Sequence, residues 1–418
     1  MSRRAITLLV IGLAACTRPT ARPVFRTPIA TQPPRVVMIA LDGFRADYLD
    51  RPAAVRLRAL AARGVWAERM VPSFPSKTFP NHYTLATGLT PAHHGIVANV
   101  MRDSVLGTFR MSDSTAVAEA RWWGGEPIWV TAEKQGRRAA TYFWPGSEAA
   151  VGGVRPTWWY HYEHTRPNAA RVAQVLEWLA LPPREAPALI ALYFSDTDDA
   201  GHSAGPASPQ VDSAIARVDS AIGVIVDGID RLGLHDVVNV VVVADHGMAA
   251  VATERTIVLD DLIDPSTLDI LDLNPVGMLV PRDGDVDRVI HALDGVHPHL
   301  RAYRRGALPA RYRFEGNPRI TPVVAVADEG WTLATRAELA RRRPPNVVTG
   351  GAHGYDPAAA SMGAVFVAAG PGVSAGGRMI PAFGNVHVYP FVAALLGLRP
   401  APNDGSLDSV QAALKPPD

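Results

Sequence analysis

Cysteine is almost absent from this chain: Cys16 is the only one in 418 residues. A domain with one thiol forms no internal disulfide and no thiolate zinc site, so any metal must be held by Asp, Glu and His. Net charge is also nearly absent, at a formal +1, which gives no basis for a nucleic-acid scaffold or a polyanion binder. The N-terminal apolar run Ala5–Ala15 is too short to span a bilayer as a stable anchor. No internal repeat and no low-complexity linker occurs, because the 36 prolines and 35 glycines are spread along the chain. What remains is 48% hydrophobic and long enough for one large α/β domain with an insertion, or for two domains.

The first 16 residues, MSRRAITLLVIGLAAC, join a basic start (Arg3, Arg4) to the short apolar run and then to the cysteine. This is the pattern of a signal peptide. Leu13-Ala14-Ala15-Cys16 resembles the bacterial lipoprotein cleavage site, which implies lipidation of Cys16. Residues 17–34, polar and Pro-rich, then form a flexible tether to the membrane. The expected location is the periplasmic side of the cell envelope. Thr17 is not the aspartate associated with inner-membrane retention, which leans the expectation to the outer membrane.

Three unbroken apolar runs end in acid. Val36–Leu41 leads to Asp42-Gly43, Ala188–Phe194 to Ser195-Asp196, and Val237–Ala244 to Asp245-His246-Gly247. Runs apolar on both faces suit buried parallel strands, and the helical segments Ala53–Arg63 and Ala169–Leu179 lie between them. The expected fold is α/β, a central mostly parallel sheet with helices on both faces. In such sheets the ligand crevice lies beyond the carboxyl ends of the strands. One aspartate there is ordinarily a helix cap; a cluster of them repels itself unless a cation sits among them. Histidines complete the pattern. His202 follows Asp198 by four residues, His246 adjoins Asp245, and His353 sits between Ala352 and Gly354 in a Gly-rich turn. These Asp and His sets are large enough for two zinc ions.

The stretches ALDGFRADYL, PSFPSKTFPNHYTLATGLTPAHHGIVAN, YFWPGSE, DTDDAGHSAGP, VVVADHGM and GAHGYDP together resemble the nucleotide pyrophosphatase/phosphodiesterases of the alkaline phosphatase superfamily. They occur in that family's order from about Val36 to Leu398. The resemblance implies an alkaline-phosphatase-like core and two zinc sites. Asp42, Thr78, Asp245 and His246 would hold one metal; Asp198, His202 and His353 would hold the other. SDTDDAGH offers three aspartates, and the family's four-residue step to histidine selects Asp198. Thr78 falls on the nucleophile and Asn99 on the phosphate-binding asparagine, with Phe79 and Tyr162 expected to flank a base.

The activity implied is zinc-dependent hydrolysis of phosphodiester and pyrophosphate bonds of nucleotides through a phospho-threonine. A phosphonate or phospholipid-headgroup hydrolase uses the same metals and differs in pocket shape. A lipid-anchored binding protein that has lost catalysis is the alternative of another class, and the complete set of candidate ligands argues against it. The nucleophile position argues against a sulfatase, which needs Cys or Ser there. Lys77 is expected to be a solvated charge, and His82, His93 and His94 to be structural.

The expected organisation is a signal peptide over 1–16, a tether over 17–34, a catalytic core over 35–255 and 346–400, and an inserted α/β subdomain over 256–345. Within the insertion Asp260, Asp261, Asp264, Asp269 and Asp272 lack EF-hand spacing and are expected at exposed helix and turn positions. Arg341-Arg342-Arg343 is expected to be a solvated face.

Overall fold

The structure is a computed structural model and describes residues 32–416. The signal segment and Cys16 lie outside the described residues, as does the tether up to residue 31.

In chain order the elements that build the site are β1 (Arg35–Leu41), α1 (Val55–Arg63), β2 (Val65–Ala67), α2 (Thr78–Thr87), α3 (Ile128–Lys134), β3 (Ala139–Tyr142) and α4 (Asn168–Ala180). There follow β4 (Leu189–Phe194), α5 (Asp196–Ala204), α6 (Pro209–Arg231) and β5 (Val238–Val243). After the insertion come β10 (Phe366–Ala369), β11 (Arg378–Ile380) and α8 (Val388–Leu396). The insertion contributes β6 (Leu268–Asp272), β7 (Val276–Pro281), α7 (Val286–Leu293), β8 (Leu300–Arg304) and β9 (Val323–Ala327).

The main sheet has seven strands in the order β11-β2-β10-β5-β1-β4-β3. Strands β3, β4, β1 and β5 run parallel, and β10 alone is reversed against β5 and β2. Every residue of β1, β4 and β5 is buried. That burial explains why their sequences do not alternate: helices cover the sheet on both faces. Helices α1, α4 and α6 pack together in one layer, and α2, α3 and α8 form the other. Each Val, Ile or Leu withdrawn this way contributes about 1.5–3 kcal/mol before the entropy of ordering the chain is set against it. The mixed α/β architecture is the one the apolar runs call for.

The chain between β5 and β10 builds a separate four-stranded sheet, ordered β6-β7-β9-β8 and antiparallel throughout. It has its own apolar cluster around Leu279, Val289, Leu293 and Val323. Among the described residues no helix is long and apolar enough to cross a membrane.

Candidate metal centre and adjoining cavity

Strand β1 lies between β4 and β5, so the carboxyl ends of three adjacent strands deliver their acids to one place. Asp42 follows β1, Asp245 and His246 follow β5, and Asp198 and His202 stand one turn apart on α5, the helix entered directly from β4. Gly43 takes φ +64°, and a Cβ there would lie 3.1 Å from Asp198; only glycine lets the β1 turn and α5 approach so closely. His353 arrives on the segment after Gly350, whose φ is +92° and whose added Cβ would collide with the His202 carbonyl.

Three groups form, each with ligand atoms within 4.8 Å of one another: Asp198, His202 and His353; Asp42, Asp198 and His246; Asp42, His82 and Asp245. His246 Nε2 lies 2.9 Å from Asp245 Oδ2, 3.5 Å from Asp42 Oδ1 and 3.3 Å from Thr78 Oγ1. His202 and His353 Nε2 are 3.1 Å apart, and Asp198 Oδ1 is 3.4 and 3.7 Å from them.

The histidine tautomers follow from their other nitrogens. Nδ1 of His202, His246 and His353 lies 2.8–2.9 Å from the backbone carbonyls of Gly351, Gly247 and Ser76 respectively. Only a protonated Nδ1 can donate there, which leaves neutral His202 and His353 with Nε2 lone pairs aimed into the centre, and His246 likewise once its Nε2 proton is given up. Two such lone pairs 3.1 Å apart repel each other without a cation between them. Buried Asp42 Oδ1, Asp198 Oδ1 and Asp245 Oδ2 also lack a well-formed hydrogen bond among the described residues. Oxygen and nitrogen donors with no sulfur suit a divalent cation. The residues present therefore fit a metal.

Electrostatics agree. Burial, then the Asp245 and Asp198 charges, push the Asp42 carboxyl well above the usual carboxylate range. Burial raises Asp198 to about 7. Burial lowers His353 well below the ordinary histidine value, helped by His246 and His202. Burial works against charge at His246 too, but Asp245 beside it prevails and lifts it to about 9. A site that must protonate acids in order to stay whole is one in which cations substitute for protons.

Thr78 is the first residue of α2, and the Lys77 side chain before it makes no capping hydrogen bond. Asn99 Oδ1 accepts the Phe79 N–H at 3.0 Å, so the amide NH2 of Asn99 is the end left to offer a ligand. From Asp42, Thr78 and Asp198 a cavity of about 860 Å³ opens, walled by Phe79, Phe143, Trp144 and Tyr162. Phe79 and Tyr162 thus line one cavity. Tyr162 packs edge-on against Phe143, centroids 5.3 Å apart, while Phe79 rests on Phe109 and Trp123. Glu148 fixes that wall by accepting from the Tyr162 N–H at 3.0 Å and meeting His161 Nδ1 at 2.7 Å.

The structure corrects two expectations. Lys77 is not solvated: its side chain is 4% exposed and its Nζ lies 2.6 Å from Asp272 Oδ2. Asp272 is accordingly no exposed turn acid but the partner that permits an ammonium to be buried. One further contributor carried no signal in the sequence, and the three histidines expected to be structural have partners of their own. Tyr193, an ordinary strand aromatic by pattern, donates to Asp42 Oδ2 at 2.6 Å. His82 donates Nδ1 to the Thr78 carbonyl at 3.0 Å and sits 3.3 Å from Asp245 Oδ2. His94 is buried against Thr84, and exposed His93 meets Asp404.

Removing the Tyr193 hydroxyl tests the support beneath Asp42. Tyr193→Phe is expected to weaken metal affinity about tenfold to a hundredfold, measured by competition with a chromophoric chelator. Unchanged affinity would show that the hydroxyl does not position Asp42.

Fold and site define an α/β protein of alkaline-phosphatase-like architecture with an Asp–His centre at the carboxyl edge of its sheet. Residues 36–356 match the family model described as type I phosphodiesterase / nucleotide pyrophosphatase, and the chain belongs to that family. It is 35% identical over 390 residues to a bis(5'-adenosyl)-triphosphatase, enpp4, of Xenopus laevis, spanning 93% of this chain and 83% of that one. It is 37% identical over 394 residues to venom phosphodiesterase CdcPDE of Crotalus durissus collilineatus, spanning 91% of this chain. This chain spans 46% of that venom protein, about half its length. Murine ectonucleotide pyrophosphatase / phosphodiesterase 5 superposes with a TM-score of 0.85 at 34% identity, over 91% of this chain and all of that one. The same murine protein is known as an inactive threonine-to-alanine variant in complex with AMP.

Proposed function

We propose that this protein hydrolyses phosphodiester and pyrophosphate bonds of nucleotides and nucleotide derivatives, releasing nucleoside monophosphate through a phospho-Thr78 intermediate. One observation carries the reading: Thr78 Oγ1 stands at the rim of the Asp–His centre, 3.3 Å from His246 Nε2, at the mouth of the aromatic-walled cavity. The AMP bound by the murine relative supports the nucleotide class.

Asp42, Thr78, Asp245 and His246 would hold one zinc ion, and Asp198, His202 and His353 a second. When bound, two zinc ions supply positive charge for phosphoryl oxygens and lower the pKa of a hydroxyl or water. The Thr78 hydroxyl gives up its proton as Oγ bonds to phosphorus and the bond to the leaving oxygen breaks, and the leaving oxygen departs as an anion or takes up a proton from solvent. Water then cleaves the Thr78 ester and restores the hydroxyl. The Asn99 amide NH2 and the Thr78 N–H donate to a non-bridging oxygen, and Phe79 and Tyr162 hold the base. Because transition states of phosphoryl transfer are loose, this positioning supplies most of what the side chains contribute. Cys16 lipidation, with the envelope location it implies, is part of the same proposal.

Asn99 sets the substrate class. A neutral amide suits a singly charged diester better than a dianionic monoester. The nitrophenyl ester of thymidine monophosphate should therefore be hydrolysed faster than nitrophenyl phosphate by the zinc-loaded enzyme, and chelator should abolish turnover. Faster monoester turnover would make the protein a phosphatase. A zinc-loaded enzyme that turns over neither ester would overturn the reading.

A further inference from the structure

The opposite end of the sheet carries a second polar cavity, independent of the catalytic reading. It measures about 810 Å³ and is lined by Gln32, Arg35, Arg137, Arg138, Arg184 and Glu185, among others. Arg35 opens β1, so the cavity lies roughly 20 Å, the length of a seven-residue strand, from Asp42.

Arg35 is 3% exposed, yet among the described residues it forms no ion pair with a carboxylate. Its guanidinium makes two long hydrogen bonds, 3.4 Å to the Leu179 carbonyl and 3.3 Å to Gln32 Oε1. Its strongest charged neighbour is Arg137, another cation. Arg137 likewise meets only carbonyls, those of Leu396 and Pro34 at 3.1 and 2.6 Å. Glu185 does not neutralise the group: Arg138 bonds its backbone carbonyl at 3.1 Å. Buried charges ordinarily occur paired. Burial, with Arg137 beside it, pulls Arg35 below the ordinary guanidinium range, so the arrangement costs stability as it stands.

We infer that this arginine cavity is a binding site for a phosphate group. Guanidinium planes match phosphate oxygens two at a time, and spare donors remain on both Arg35 and Arg137. Two sources present that chemistry: free phosphate and the headgroup of an anionic phospholipid. The second rests on the lipidation proposed for Cys16, since Gln32 and Pro33, which line the cavity, lie close after that cysteine in the sequence.

The test uses the full chain stripped of metal by chelator, so that the acids of the catalytic centre repel anions. Inorganic phosphate should raise the melting temperature saturably, and chloride at matched ionic strength should not. Vesicles of phosphatidylcholine containing phosphatidylglycerol should bind more tightly than phosphatidylcholine alone. Arg137→Gln should abolish the phosphate effect and reduce the preference for anionic vesicles about fivefold. The same variant, loaded with zinc, should hydrolyse the nitrophenyl ester at the wild-type rate. Arg35→Gln should match it in binding; if that buried substitution fails to fold, Arg137→Gln decides alone. A phosphate effect without a vesicle preference assigns the site to the free anion, and both together assign it to the headgroup. Equal responses to phosphate and chloride, or Arg137→Gln titrating like wild type, would overturn the site.

Discussion

Thr78→Ala will retain the fold and bind zinc and AMP, yet hydrolyse the nitrophenyl ester of thymidine monophosphate at least about a thousandfold more slowly than wild type. The expectation follows from what the side chain does and does not support. Thr78 opens α2, and its backbone N–H and carbonyl, the latter held by His82 at 3.0 Å, remain in the variant. Alanine is also a better helix former than threonine, so α2 has no reason to unravel. Only the hydroxyl disappears, and with it one oxygen 3.3 Å from His246 Nε2. Loss of kcat with substrate affinity kept within a few-fold is the signature of a group used in bond formation. Equal losses in kcat and in zinc content would instead make Thr78 a metal ligand and nothing more.

Asp272→Ala is expected to cost about 3 kcal/mol of stability and to lower kcat as well. The Lys77–Asp272 pair is buried at the lysine, 4% exposed, and largely covered at the acid, 15% exposed. Removing the acid leaves an ammonium in a low-dielectric place with no partner. Lys77 is also the residue before Thr78, and its carbonyl accepts from the N–H and the side-chain amide of Asn81. A lysine forced out toward water would pull on the start of α2. Replacing both partners, Lys77→Met with Asp272→Leu, should restore most of the stability, because no charge is then left unpaired. Urea unfolding of wild type, Asp272→Ala and the double variant decides the matter. A single-variant loss below about 1 kcal/mol, the ceiling for exposed pairs, would contradict a buried-pair role.

The contrast between Lys77 and Asp42 shows what a sequence discloses. Asp42, Asp198, Asp245 and His246 were legible because each follows a strand buried on both faces, and such strands are written as uninterrupted apolar runs. The end of each run marks the sheet edge where a crevice lies. Asp198 and His202 were legible as a pair because four residues make one helical turn. Lys77 was misread because its partner comes from the insertion, on a strand of another sheet, and no local pattern encodes that meeting. Tyr193 was invisible for a different reason. An aromatic in a buried strand is ordinary core, and only the third dimension shows its hydroxyl reaching Asp42 across the β1–β4 pairing, in which Tyr193 lies beside Ala40. The cavity wall had the same difficulty, since Phe143, at φ 71°, and Glu148 fall within YFWPGSE, yet nothing in that stretch tells that they shape Tyr162. The arginine cavity at the other end of the sheet joins three separate stretches of chain around Arg35, Arg137 and Arg184, and composition alone, with its balanced charge, conceals it.

The central claim is that the reaction passes through an ester of Thr78, with two displacements at phosphorus rather than one. Each in-line displacement inverts phosphorus, so stereochemistry counts them. The decisive measurement is hydrolysis of a single diastereomer of a nucleoside phosphorothioate diester in ¹⁸O-water by the zinc-loaded enzyme, with the configuration of the product then determined. Two displacements through Thr78 predict overall retention. Overall inversion would mean that water attacks phosphorus directly, and would contradict the covalent role of Thr78.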